Sequence, residues 1–289
     1  MTSLRNHQSN SFTKLLLIGD AKSGKTGSLV SLVKAGYKLR ILDLDNLLDI
    51  LKYKVLEECP ELIDSVESRS LRDKYKVGGT GMTLDGKPKA WTESLKLLND
   101  WKYTDDDGTE IDLGDPHTWG PDCILVIDSL SRWCDAAYNF HEVMTPGGSK
   151  GQDGRAVYGN AQDDVEKQLA TLTSKSCATN LIIIAHGQYM DMADGTKKIF
   201  PQGVGQKLSP KIPQYFPNYV RYKNSSGKRT IQLESDAMID LANTNPGKLS
   251  KSLPIETGLA EFFAVLRDNP AKDTVDTTVR PKTVTLKRV

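Results

Sequence analysis

Gly19-Asp20-Ala21-Lys22-Ser23-Gly24-Lys25-Thr26 has the spacing G-x-x-x-x-G-K-[ST], and these residue types in this order are suited to holding phosphate. The glycines let the chain wrap until successive backbone N–H groups point at anionic oxygens, and a helix starting at the loop adds its positive end. Lys25 is then expected at the β- and γ-phosphates and Thr26 on a Mg²⁺ ion, with Gly27 completing the cradle. ATP and Mg²⁺ are the expected cofactors. A magnesium shell also needs a carboxylate from a second strand. The apolar run CILVI, residues 123–127, ends in Asp128, which either supplies that charge or caps the helix that follows.

Such residues act together only if short strands deliver them to one edge. The run KLLLIG over residues 14–19 predicts a strand stopped by glycine, and Leu29, Leu32 and Val33 have helical spacing over residues 25–35. Strands are also expected at 39–43, 123–127 and 181–185, and helices at 44–56, 91–101, 129–140, 158–176 and 254–267. Residues 219–223 and 229–234, separated by NSSGK, predict a β-hairpin. Continuously apolar strands alternating with helices predict an α/β fold, a mostly parallel central sheet flanked by helices, with the β-hairpin and a helix at the C-terminal end.

The 289 residues suit one large domain with insertions, or a domain with a small appendage. The expected division is a flexible N-terminus over 1–13 and a core over 14–235 with an insertion at about 58–120, then a helical appendage over 236–268 and a disordered basic tail over 269–289. The longest apolar run is about five residues, far short of the roughly 20 a membrane span needs. With a polar N-terminus, this makes a membrane protein or an exported one unexpected and points to the cytoplasm. Cys59, Cys123, Cys134 and Cys177 lack metal-ligand spacing and are expected to be reduced packing residues. The 38 basic residues nearly balance 37 acidic ones, so net charge gives no argument for nucleic acid and patches must be judged locally.

Several segments resemble the RecA-like branch of P-loop ATPases, and more closely the phage-encoded AAA-type proteins that include single-strand annealing recombinases. The resemblance covers roughly residues 14–235. It rests on the phosphate loop, on VIDS at residues 126–129, and on the order of DGKPKAW, VYGNAQ, IIIAHG and DGTKKIFPQGVGQKLSPKI. In such proteins the strand after the first helix ends in Asp-x-Glu, whose Glu activates the attacking water. Here Asp43-Leu44-Asp45 stands in that place, so the resemblance makes Asp45 the candidate base, one methylene shorter than Glu. A cap on the following helix is the alternative reading of Asp45. His186, after the strand at 181–185, takes the place of a polar γ-phosphate sensor.

The resemblance further implies two loops that bind single-stranded DNA. Residues 144–157 offer Lys150 and Arg155, with Tyr158 beside them, and residues 187–211 offer Lys197, Lys198, Phe200, Lys207 and Lys211. Cations neutralise phosphates and a ring stacks on a base. Lys228 and Arg229 on the hairpin match the place where RecA filaments present cations to a neighbour's ATP, which implies a homo-oligomer, ring or filament, with ATP at subunit interfaces. The implied activity is Mg²⁺-dependent ATP hydrolysis coupled to DNA annealing and homologous recombination, alongside a single-strand-binding protein. The rivals are a helicase, loader or packaging-type motor, and a nucleotide-switched assembly protein that binds no DNA.

Overall fold

The computed structural model describes residues 12–79, 81–146 and 154–267. In chain order the strands are β1 (Lys14–Gly19), β2 (Lys38–Asp43), β3 (Val66–Ser70), β4 (Tyr75–Gly78), β5 (Gly81–Leu84), β6 (Lys102–Thr104), β7 (Glu110–Asp112), β8 (Gly120–Asp128), β9 (Thr179–Asp191), β10 (Lys197–Pro201), β11 (Asn218–Ser225), β12 (Lys228–Gln232) and β13 (Ser252–Pro254). The helices are α1 (Lys25–Ser28), α2 (Val30–Lys34), α3 (Asp49–Glu58), α4 (Ala90–Asn99), α5 (Leu130–Met144), α6 (Gly154–Thr173), α7 (Gly205–Leu208) and α8 (Gly258–Arg267).

The main sheet runs β13-β12-β11-β1-β9-β8-β2-β3, with β10 paired to the far end of β9. The six strands from β11 to β3 are mutually parallel, and β12, β13 and β10 are antiparallel additions. Both faces are covered, which is why the central strands read as unbroken apolar runs. Leu15 and Leu17 turn to the face carrying α2, α3 and α8. Leu16 and Ile18 turn to the opposite face, with α4, α5 and α6. The chain leaves β1 toward β2 on one side and leaves β9 toward β11 on the other. The C-terminal ends of β1 and β9 therefore flank a switch point, the place where open α/β sheets bind ligands.

Several expectations need adjusting. The helix expected over 25–35 is divided at Leu29 into α1 and α2. The one expected over 44–56 starts only at Asp49, because Asp43 Oδ1 accepts the Asn46 N–H at 2.6 Å and Asn46 has φ +56°, which holds a turn there. Residues 58–120, expected as an insertion, contribute β3 to the sheet and α4 to the core, where Trp91 and Trp133 lie with ring centroids 5.1 Å apart. Residues 236–267, expected as a helical appendage, add edge strand β13 and set Phe262 and Phe263 of α8 into the core. All four cysteines are free and buried. Residues 1–11 and the tail expected over 269–289 lie outside the described residues.

The polar stretch at 187–211 is not an open loop. β9 continues past the sheet and pairs with β10, burying Ile199, and α7 follows. Alternation of buried and exposed residues along KKIFP makes this possible with little apolar content. Likewise α6 begins at Gly154, so Arg155 and Tyr158 stand on a helix, and Tyr158 packs against Tyr138 of α5. Lys150 lies outside the described residues.

Trp91, in the first turn of α4, is 1% exposed. Trp91→Ala is expected to lower the unfolding free energy by about 3–5 kcal/mol, the usual cost of emptying a buried indole site. Denaturant titration checks this, and a loss below about 1 kcal/mol would make α4 peripheral.

Candidate nucleotide site

The loop between β1 and α1 turns at Gly24, whose φ of +96° is open to glycine and strained for other residues. A Cβ there would also stand 2.5 Å from Ile255 Cδ1. Gly19 is equally confined, since its Cβ would lie 2.8 Å from the Tyr222 carbonyl oxygen and 2.9 Å from Ser23 Oγ. Glycine is thus required by backbone conformation at Gly24 and by close approach to backbone at Gly19. Lys25 folds back over the loop, its Nζ donating to the carbonyl oxygens of Gly19 at 2.8 Å and Asp20 at 2.9 Å. Burial pushes its pKa down, with Asp128, Asp20 and Asp45 opposing that shift.

Thr26 Oγ1 donates to Asp128 Oδ2 at 2.6 Å, across 102 residues of chain. β8 makes this contact by ending level with the loop, Asp128 being paired in register with Asp43 on one side and Ile184 on the other. Asp128 does not cap α5. The cap is Ser129, whose side chain accepts from the Arg132 N–H, and the Asp128–Ser129 peptide is cis. A hydroxyl and a carboxylate side by side are the hard oxygen donors Mg²⁺ prefers. Among the described residues no group of three His, Cys, Asp or Glu side chains is arranged to hold a metal. The pair therefore suits an ion that completes its shell with phosphate oxygens and water, as Mg²⁺ does.

The Asp128 carboxyl is raised to about 6, chiefly by burial and with help from the Asp45 and Asp43 charges, while the Thr26 hydroxyl and Lys25 oppose the rise. An unfolded Asp titrates near 3.9. A folded value above that favours the fold below about pH 4, a contribution lost as pH rises through about 6. A divalent cation needs the ionised form and so competes with the proton. The rise in Tm produced by Mg²⁺ with ATP is accordingly expected to grow between about pH 5 and 7, more steeply in the wild type than in Asp128→Asn. Parallel profiles in the two proteins would remove Asp128 from the cation site.

Asp45 does not cap α3, whose N-cap is Leu48. It sits at the mouth of the site, where Ser129 Oγ donates to its Oδ1 at 3.0 Å and His186 Nε2 approaches its Oδ2 at 3.3 Å. Arg132 Nε lies 3.7 Å from Oδ1. Burial pushes this carboxyl up, but the His186 and Ser129 hydrogen bonds and the Arg132 charge outweigh it and hold the pKa below the ordinary value. The sheet brings these groups together: β9 lies between β1 and β8, and His186 is in register with Gly19.

Arg132 and Ser129 were not singled out as site residues. Ser129 entered only as the last residue of the VIDS segment, and the hint for Arg132 was its position four residues past Asp128. Tyr189 was also missed: its hydroxyl donates to Asp20 Oδ1 at 3.3 Å and accepts from Arg221 Nη2 at 3.4 Å. Arg229 reaches its own loop, its Cδ 3.4 Å and Nη1 3.8 Å from where a Cβ on Gly24 would stand. Lys228 is exposed at the mouth of the hairpin.

The expected DNA contacts are scattered. Lys197 lies 3.6 Å from Asp191, Lys198 2.6 Å from Asp240, and Lys211 2.7 Å from Glu166. Phe200 is half-buried on β10, and Lys207 is exposed on α7. Phosphate would have to displace three carboxylates here. No helix among the described residues is long and apolar enough to cross a membrane. No protein-family model and no curated protein sequence matches the chain.

Proposed function

We propose that the chain is a Mg²⁺-dependent ATPase with a RecA-like core, which binds single-stranded DNA and promotes annealing and homologous recombination as an oligomer. The observation that carries the reading is the Thr26–Asp128 contact beside the left-handed Gly24 turn, at the switch point of a parallel sheet. In this account the loop N–H groups and the α1 end receive the phosphates, and Lys25 exchanges carbonyl partners for phosphate oxygens. Thr26 and Asp128 hold Mg²⁺, which when bound neutralises charge on the phosphate oxygens.

Asp45 orients the attacking water. Its lowered pKa makes it a weak proton acceptor but a well-fixed hydrogen-bond acceptor, so positioning is its main contribution. Arg229 supplies a cation from within the same chain, and Lys228 faces outward toward a neighbouring copy. His186 ties Asp45 to β9, and the same strand continues into the hairpin carrying Lys197, Lys198 and Phe200. Nucleotide state at Asp45 and Asp20 thus has a route, by non-covalent contacts to His186 and Tyr189 and then along β9, to the β9–β10 hairpin.

Because the hairpin lysines are already paired with carboxylates, DNA affinity is expected to be modest, salt-sensitive and stronger with nucleotide. Binding of a fluorescent oligonucleotide, with and without a non-hydrolysable ATP analogue, tests this together with annealing of complementary strands. ATP-driven unwinding or translocation would favour a motor. Nucleotide-dependent assembly with no DNA affinity would favour the switched assembly protein.

A further inference from the structure

Two exposed apolar surfaces have no place in the nucleotide site. The first is a stripe at three-residue spacing along and just before α3: Leu47 (65% exposed), Ile50, Tyr53 (61%) and Leu56. The same helix buries Leu51 and Val55 on its other side, and Asp49, Lys52, Lys54, Glu57 and Glu58 lie between its apolar positions, so the stripe is an apolar strip edged by charge. The second is the β4–β5 ribbon, in which Val77 (84% exposed) and Met82 (65%) form a cross-strand pair and Tyr75 projects on the same face. Among the described residues these two strands pair only with each other. The ribbon is tied to α5 at its root, where Asn139 Nδ2 donates to the Tyr75 hydroxyl at 2.7 Å, and beyond that root a two-stranded ribbon is marginal in water.

We propose that the two surfaces meet between copies: the β4–β5 ribbon of one chain seats on the α3 stripe of the next. Charge selects this occupant. Residues 72–89, which contain the ribbon, carry five bases and two acids, whereas residues 47–65, which contain the stripe, carry five acids and two bases. Apolar centres with opposite charge around them are complementary to each other and repulsive to themselves. Because the surfaces are different elements, the contact is head-to-tail and generates a ring or an open filament.

Both surfaces adjoin the nucleotide site. A Cβ on Gly27 would lie 3.4 Å from Ile50 Cγ1 of the stripe. At the root of the ribbon, Tyr75 and Arg132 line a cavity of about 120 Å³ together with Leu44, and Arg132 faces Asp45. Seating the ribbon therefore presses on groups next to the loop in one copy and next to Asp45 in the other. This deepens the assembly part of the function proposed above and rests on it only there. Assembly is read by mass and ATP chemistry by turnover, so either can fail alone.

The test is light-scattering mass across a concentration series, with and without an ATP analogue. It uses wild type, a ribbon variant (Val77→Glu with Met82→Glu) and a stripe variant (Ile50→Glu with Tyr53→Glu). Wild type should pass beyond a dimer, and each variant alone should remain monomeric with an unchanged melting curve. An equimolar mixture should stop at a dimer, since only one intact pair of surfaces remains between the two chains. A wild type that is monomeric throughout, a variant that assembles like wild type, or a mixture that stays monomeric overturns the proposal. Should a Glu variant unfold, single cysteines at Val77 and Tyr53 replace it, the four native thiols being buried. Cross-linking between Val77→Cys and Tyr53→Cys chains, and not within either alone, is the expected result; its absence contradicts the contact.

Discussion

Lys25→Ala is expected to lower ATP turnover by at least about 10²-fold, the scale seen when one preorganised donor to a developing charge is removed. Melting of the protein without nucleotide should change little. Lys25 is 6% exposed, and burial pushes its pKa down while its ammonium hydrogen bonds go to the Gly19 and Asp20 carbonyls and to Ser23 Oγ. A charge held that way is expected to contribute little to the resting fold, its worth on the proposed function lying in the phosphate it would meet. Turnover and the melting curve, measured on the same preparation, separate the two effects. Activity within about threefold of wild type would detach Lys25 from the chemistry.

Asp45→Asn should cut kcat by about 10²–10⁴-fold with little change in KM. The amide keeps an oxygen for the Ser129 hydroxyl but loses the charge that faces His186 and Arg132, and on the proposed mechanism it would no longer hold the water for in-line attack. Equal losses in binding and turnover would mean that Asp45 shapes the cradle rather than the reaction. If turnover stays within about threefold, its role reduces to tying His186 to Ser129.

How much of this was legible depended on the distance over which the information travels. The phosphate loop could be read because its residues are contiguous and its glycines answer local demands, as the Gly24 turn does. The central strands could be read because burial on both faces leaves LLLI, ILVI and LIII without polar interruptions. β3, VESRS, could not: an edge strand with one covered side carries too little apolar content. The late start of α3 depended on a side-chain turn at Asp43, which a search for helical periodicity does not see.

The cluster around Asp45 was legible only in part. Its members come from β2, β8, α5 and β9, and what joins them is register: Asp43 opposite Asp128, and Gly19 opposite His186. Resemblance suggested Asp45 and His186 separately, but not that they touch, nor that Arg132 completes the group. The stretch after His186 was read as an open loop because lysines and glycines dominate it. Strand pairing with β9 orders it instead, and carboxylates occupy Lys197, Lys198 and Lys211 of the residues assigned to DNA.

The central claim is that Mg²⁺ and ATP are held by the Gly24 turn, Lys25, Thr26 and Asp128. Calorimetric titration of the purified chain with a non-hydrolysable ATP analogue, in Mg²⁺ and in chelator, tests it most directly. The account predicts one nucleotide bound per chain in Mg²⁺, much weaker binding in chelator, and little Mg²⁺ dependence in Asp128→Asn. No binding in Mg²⁺, or wild-type Mg²⁺ dependence in Asp128→Asn, would contradict it.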